Sequence, residues 1–205
     1  MSIEDDPVLR EAARGARPVT TEPELEPEER ERPSGLRNVA EWALIAGGAL
    51  LVAFLIKTFL LQAFYIPSLS MAPILKVNDR VLVNKLSYDL HDVNRGDLVV
   101  FESPPNEGSQ TKDLIKRVIG LPGETVESRD GQILINGQVL EEPYLLPDVT
   151  TGPLEKVTVP PEHLWVMGDN RPNSRDSRFF GAIPESLVIG RAFVRVWPVT
   201  AIGLL

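Results

Sequence analysis

ETVESRDGQILINGQVLEEPYL, Glu124 to Leu145, contains two dipeptides that reverse a chain, Asp130-Gly131 and Asn136-Gly137, on either side of the four residues Gln132–Ile135. Asp-Gly and Asn-Gly supply the positive φ values that a two-residue hairpin turn demands. Ile133 and Ile135 are β-branched, and four residues suit a strand better than a helix. The stretch therefore reads as strand, tight turn, strand, tight turn, strand. Similar short runs lie on both sides: RVLVNKLSY (Arg80–Tyr88), GDLVVFESP (Gly96–Pro104) and KDLIKRVIGLPG (Lys112–Gly123) before it, HLWVMGDN (His163–Asn170) and SLVIGRAFVRVWP (Ser186–Pro198) after it. Turn residues separate them, and no long helical period intervenes. The expected fold is mainly β, with folded-over antiparallel sheets.

The amino terminus is different. Residues 1–38 hold ten acidic and six basic side chains, five prolines and no aromatic residue. Such a segment buries too little apolar surface to offset its ordering entropy, so a disordered acidic tail is expected. WALIAGGALLVAFLI, Trp42 to Ile56, then runs without a charge. Taken as a helix, Val39–Ile56 spans roughly 27 Å, about the hydrocarbon thickness of a bilayer. Lys57, at its end, can snorkel to the headgroups. Residues 39–61 thus read as one N-terminal transmembrane helix, and residues 62–205 as a β-rich domain. A cleaved signal sequence fits less well, because nearly 40 residues precede the apolar run. Arg30, Arg32 and Arg37 precede the span, whereas Thr58–Leu75 carries no basic residue. The positive-inside rule places the tail in the cytoplasm and residues 62–205 across the membrane. FLLQAFYI, Phe59–Ile66, is expected to lie in the lipid surface.

Composition excludes several classes of function. Net charge is −8 with no Lys/Arg-rich run, which argues against nucleic acid as a partner. Cysteine is absent and histidine occurs twice, so neither a thiolate nor a histidine metal site is expected. Asp169 and Asp176 do not supply the oxygen count of a calcium loop. No cofactor is expected.

Three stretches carry candidate chemistry. YIPSLSMAPIL, Tyr65–Leu75, sets Ser68 and Ser70 among Ile66, Leu69, Met71 and Ile74, an unusually dry setting for hydroxyls. A serine attacks only with a base to take its proton. His163 opens an apolar run and His91 sits in a polar loop, neither with an orienting partner in view. In DLIKRVI, period-two alternation puts Leu114, Lys116 and Val118 on one face, and Ile115, Arg117 and Ile119 on the other. Each apolar face must then hold a basic residue, and a buried lysine is paired or neutral. Holding Lys116 neutral near pH 7–8 against a free value of about 10.4 asks for roughly 3–5 kcal/mol of desolvation. The third stretch, MGDNRPNSRDSRFFG (Met167–Gly181), is a polar turn cluster in which Asp176 and Arg178 can pair.

IPSLSMAPIL, RGDLVVF, DLIKRVIGLPGE and GDNRPNSRDSRFFG, in that order, resemble the motifs of the bacterial type I signal peptidases. The likeness runs from about Leu55 to Arg195 and includes the N-terminal anchor. It implies a signal-peptidase/repressor-like β fold and a serine endopeptidase that removes N-terminal signal peptides from exported preproteins, cutting after small residues. By the resemblance, Ser70 is the nucleophile and Lys116 the general base, with Ser68 joining the Ser70 backbone N–H as oxyanion hole. Ser174 orients the lysine, Asp176 and Arg178 brace that region, Met71 packs beside the nucleophile, and Ile66, Leu69, Met71 and Ile115 line the substrate groove. The implied partners are preprotein signal peptides, the lipid bilayer (plasma or thylakoid) and the secretion translocon. Leu69, Ile74 and Pro172 depart from the family's usual glycine, threonine and aspartate. A non-enzymatic membrane-anchored β module that binds exported chains is the alternative, and it would survive loss of Ser70 and Lys116. A self-cleaving repressor of the same Ser/Lys group would need a DNA-binding domain that this sequence does not offer.

Overall fold

The computed structural model describes residues 35–106, 108 and 111–205. Most of the expected acidic tail, with Arg30 and Arg32, lies outside the described residues. The chain divides into two compact units, residues 1–44 and 45–205. The described part of the first is the beginning of α1, a 21-residue helix over Gly35–Leu55. Within it, Asn38–Leu55 has a mean hydropathy of 1.7 and none of it is buried. Trp42, Leu44, Ile45 and Leu50 are all exposed. At about 31 Å, and apolar over most of its length, α1 is long enough to cross a bilayer.

A π turn, Ile56–Leu60, ends the helix. The chain then forms β1, Leu61–Tyr65, which pairs antiparallel along its length with β2, Arg80–Asn84. Pairing of β1 satisfies backbone groups that would otherwise be left on the edge of β2. Arg80–Tyr88 is not one strand: Asn84 Oδ1 accepts the Leu86 N–H at 3.0 Å, turning the chain into a helical turn, Ser87–Leu90.

The remaining strands are β3 (Leu98–Glu102), β4 (Asp113–Gly120), β5 (Thr125–Arg129), β6 (Gln132–Ile135), β7 (Gln138–Val139), β8 (Leu154–Thr158), β9 (His163–Met167), β10 (Ile183–Pro184), β11 (Val188–Trp197) and β12 (Gly203–Leu204). Among the described residues they form two sheets, one ordered β1-β2-β11-β3-β4-β9-β10 with β12 beside β11, the other β7-β6-β5-β8. Neighbouring strands run antiparallel, as expected. The opening stretch is the hairpin pair β5-β6-β7. Asp130 and Gly131 have φ of 52° and 80°, Asn136 and Gly137 of 52° and 81°, which is the positive pair a type I′ turn requires.

The larger sheet is covered on both faces in its middle. Leu98 and Val100 of β3 pack with Ile66, Met71 and Leu75, whereas Val99 and Phe101 pack with Val118, Leu164 and Val166. That explains why β3 is continuously apolar rather than alternating. A methyl at Gly120 would come within 2.6 Å of Val126 and 3.0 Å of the Trp165 Cβ, so only glycine lets β4 pass that closely beneath its neighbours.

Arg95 and Glu124 fasten the loop before β3 to the turn after β4 with a two-pronged ion pair at 2.6 and 2.9 Å, and the Leu121 N–H donates to the same carboxylate at 2.7 Å. Burial alone would raise the Glu124 carboxyl, but these donors and the Arg95 charge outweigh it and hold it below the usual range. A depressed carboxyl stabilises the fold above its unfolded pKa, and that stabilisation is lost as pH falls through the folded value. Urea unfolding should find Glu124→Gln less stable than the parent at pH 7 by about 1–2 kcal/mol, with the gap closing toward pH 3. A gap unchanged across that range excludes the ion pair as its source.

Candidate active site

The loop between β1 and β2 is held from inside. Ile66, Met71 and Leu75 are buried in the core with Val81 and Val83. The Ile66 N–H donates to Asp79 O at 2.9 Å, Asn78 N returns a bond to Ile66 O at 2.9 Å, and Leu75 N donates to Met71 O at 2.9 Å. Hydrophobic anchors at both ends thus fix the intervening serines. Ser70 is 7% exposed, whereas Ser68 is exposed and its Oγ lies 3.3 Å from the Ser70 Oγ.

Lys116 comes to Ser70 from the middle of β4, 46 residues away in sequence. It is 3% exposed, faces Val99 across the β3–β4 pairing, and donates from Nζ to Ser70 Oγ at 3.0 Å and to Ile115 O at 3.1 Å. The strand period predicts a basic residue on each face. Arg117, on the other face, is also buried, and it grips Asp169 with two bonds of 2.8 and 2.6 Å.

Residues after β9 close the site. The Asn170 N–H donates to Ser70 O at 3.0 Å and its side-chain amide donates to Leu69 O at 3.0 Å. The fully buried Asp176 accepts from Gly168 N at 3.0 Å and from the Arg178 guanidinium at 2.8 Å through each oxygen. Arg178 passes on to Arg171 O at 2.7 Å. A methyl at Gly168 would stand 2.2 Å from Ser174 Oγ and 2.5 Å from Ser70 O, so this packing admits only glycine.

A narrow cleft of about 80 Å³ opens beside the pair, lined on one side by Phe64–Ser68 and on the other by Thr111 and Asp113–Lys116. A larger hollow of about 530 Å³, around Tyr88, His91 and Glu185, includes neither Ser70 nor Lys116. Chemistry rather than volume marks the site. Residues 39–197 match the family described as signal peptidase, peptidase S26. The chain belongs to this family.

Relatives of this S26 peptidase extend over most of its length. It is 50% identical to signal peptidase I of Leptolyngbya laminosa over 77% of this chain and 79% of that one. The probable signal peptidase I-2 of Synechocystis is 45% identical, over 77% and 72%. Signal peptidase I of Bacillus caldolyticus is 36% identical, over 73% and 87%.

Three positions in this S26 peptidase differ from expectation. Ser174 lies close by, but its Oγ is buried with no hydrogen-bond partner among the described residues rather than bonded to the lysine. Met71 is wholly buried under the loop, packed with Leu75, instead of lining the cleft. Leu69 points outward, 55% exposed, and contributes its carbonyl to Asn170. Ile66 and Ile115 do line the cleft. Of the two histidines, His91 bonds Asp92 O and His163 bonds Pro161 O, both at 2.8 Å and remote from Ser70 in the hydrogen-bond network. The tie from Asn170 to the serine loop has no local signature, because Gly-Asp-Asn reads as a turn.

Proposed function

We propose that this chain is a membrane-anchored serine endopeptidase that removes signal peptides from exported preproteins, with Ser70 as nucleophile and Lys116 as its base. The observation that carries the reading is the 3.0 Å bond between a buried lysine amine and a buried serine hydroxyl. Desolvation disfavours the ammonium form. A neutral amine at that distance can take the serine proton as Oγ attacks the scissile carbonyl. The Ser70 N–H and the Ser68 hydroxyl then receive the developing oxyanion. Lys116 returns its proton to the leaving amine, and a water activated by the same amine releases the acyl group from Ser70. The Asp176–Arg178 pair supports that arrangement through the Gly168 N–H, against which Ser174 packs without bonding the lysine.

The substrate lies extended. β3 covers one edge of β4 from Asp113 to Arg117, and β9 covers the other only from Arg117 onward. The edge at Asp113–Lys116 therefore accepts an added strand, laid in the cleft opposite Ile66–Ser68. At about 80 Å³, the cleft is far smaller than the roughly 300–1,000 Å³ of ordinary ligand pockets, which favours small side chains next to the cut. The helix α1 anchors the enzyme, with the amino terminus in the cytoplasm and the β domain on the far side, beside the translocon. The test is cleavage of a purified preprotein by the full chain in detergent, with the new amino terminus read by mass spectrometry. A cut after a small residue, blocked when that residue is made phenylalanine, is expected; an intact preprotein under all conditions sinks the reading.

A further inference from the structure

Glu142 and Tyr144 lie on the segment after β7, outside the four motifs that carry the family resemblance. Arg171, whose side chain is fully buried, clamps the Glu142 carboxylate with both Nη groups, one at 3.0 Å. It also donates to Thr151 Oγ1 at 2.6 Å and to Gly168 O at 3.1 Å. The Tyr144 hydroxyl donates to Glu142 at 2.7 Å, and the Arg117 guanidinium sits 3.9 Å from the centre of its ring. Burial first, and the Glu142 charge second, push that hydroxyl far up, so it remains a donor. The two side chains thus touch both arginines that fix Gly168–Arg171, Arg117 acting through Asp169 and Arg171 directly. That segment holds the carbonyls of Leu69 and Ser70 through Asn170. Buried ion pairs add little net stability over apolar packing, so what this cluster supplies is geometry.

We propose that Glu142 and Tyr144 are positioning residues for Ser70, bracing the Gly168–Arg171 segment that sets the nucleophile against Lys116. The inference rests on the reading of Ser70 as nucleophile. In the full chain in detergent, Glu142→Gln should lower kcat by about 10–100-fold with KM changed less than about twofold. The pH midpoint of kcat should not move, since Lys116 is held by β3 and β4. Thermal unfolding must show the variant folded at the assay temperature. A folded variant with parental kcat, or a loss that only tracks the unfolded fraction, overturns the inference. If Glu142→Gln does not fold, Tyr144→Phe decides. It keeps the ring under Arg117 and removes only the hydroxyl, and kcat should fall about 3–10-fold; parental kcat overturns the proposal. Ser70→Ala separates the two claims. If it is inactive while the brace variants are normal, the brace alone fails. If it cleaves at the parental rate, the nucleophile reading fails first.

Discussion

Lys116→Arg should lower preprotein cleavage by about 10²–10⁴-fold, the share of rate that proton transfer by a positioned base contributes. Arginine keeps a positive charge and five donors but stays protonated at any pH a protein survives, so it cannot receive the Ser70 proton. Loss of activity alone would not separate chemistry from misfolding, because a guanidinium forced into a site that is 3% exposed is costly. Lys116→Met makes that separation. It has a similar length, no charge and no polar group to bury, so it should unfold at or above the parental temperature and still be inactive. Parental activity in either variant removes Lys116 from the mechanism. The same argument fixes a pH dependence. Burial pulls a lysine below its free value of about 10.4, and only the neutral form works. The rate should climb about tenfold per pH unit on the acid side and level off once the amine is neutral. A rate flat from pH 5 to pH 9 contradicts a lysine base.

The parts of this architecture that were legible in the sequence are those written in local physics. Asp130-Gly131 and Asn136-Gly137 fold as the turns their φ demands dictate. Alternation along β4 requires a buried basic residue on each face, and both Lys116 and Arg117 are buried. What local pattern could not show is which distant segment meets which. Nothing around Asn170 says that its amide binds Leu69 O, 101 residues earlier. Glu142 looks like a solvent-facing acid in LEEPYL until Arg171 is brought against it. Met71, by its apolar character, suits either a groove wall or the core, and only packing with Val81 and Val83 decides for the core. Nor does the apolar content of Phe59–Ile66 say that Leu61–Tyr65 pairs with β2, Arg80–Asn84.

Ser70→Ala should cost about 10⁴–10⁶-fold in kcat, as removing a nucleophile does where base and oxyanion donors remain. The substitution takes away one oxygen. Lys116 keeps its bond to Ile115 O at 3.1 Å, and the Asn170 bonds to the loop carbonyls use backbone atoms that alanine retains. The loop should therefore stay in place, with unfolding shifted by no more than a few degrees, the scale of a ΔΔG of about 1 kcal/mol. Binding should survive as well, because the edge of Asp113–Lys116 and the wall at Ile66 are untouched. The variant ought to capture a preprotein with a dissociation constant close to the parent's KM and release no fragment. Cleavage by the parent that the variant loses while still binding separates an enzyme from a membrane-anchored module that merely holds exported chains, since such a module binds without cutting whether or not the serine is there. Cleavage by Ser70→Ala at the parental rate would place the nucleophile elsewhere in the chain, and the 3.0 Å contact with Lys116 would then be a feature of packing alone.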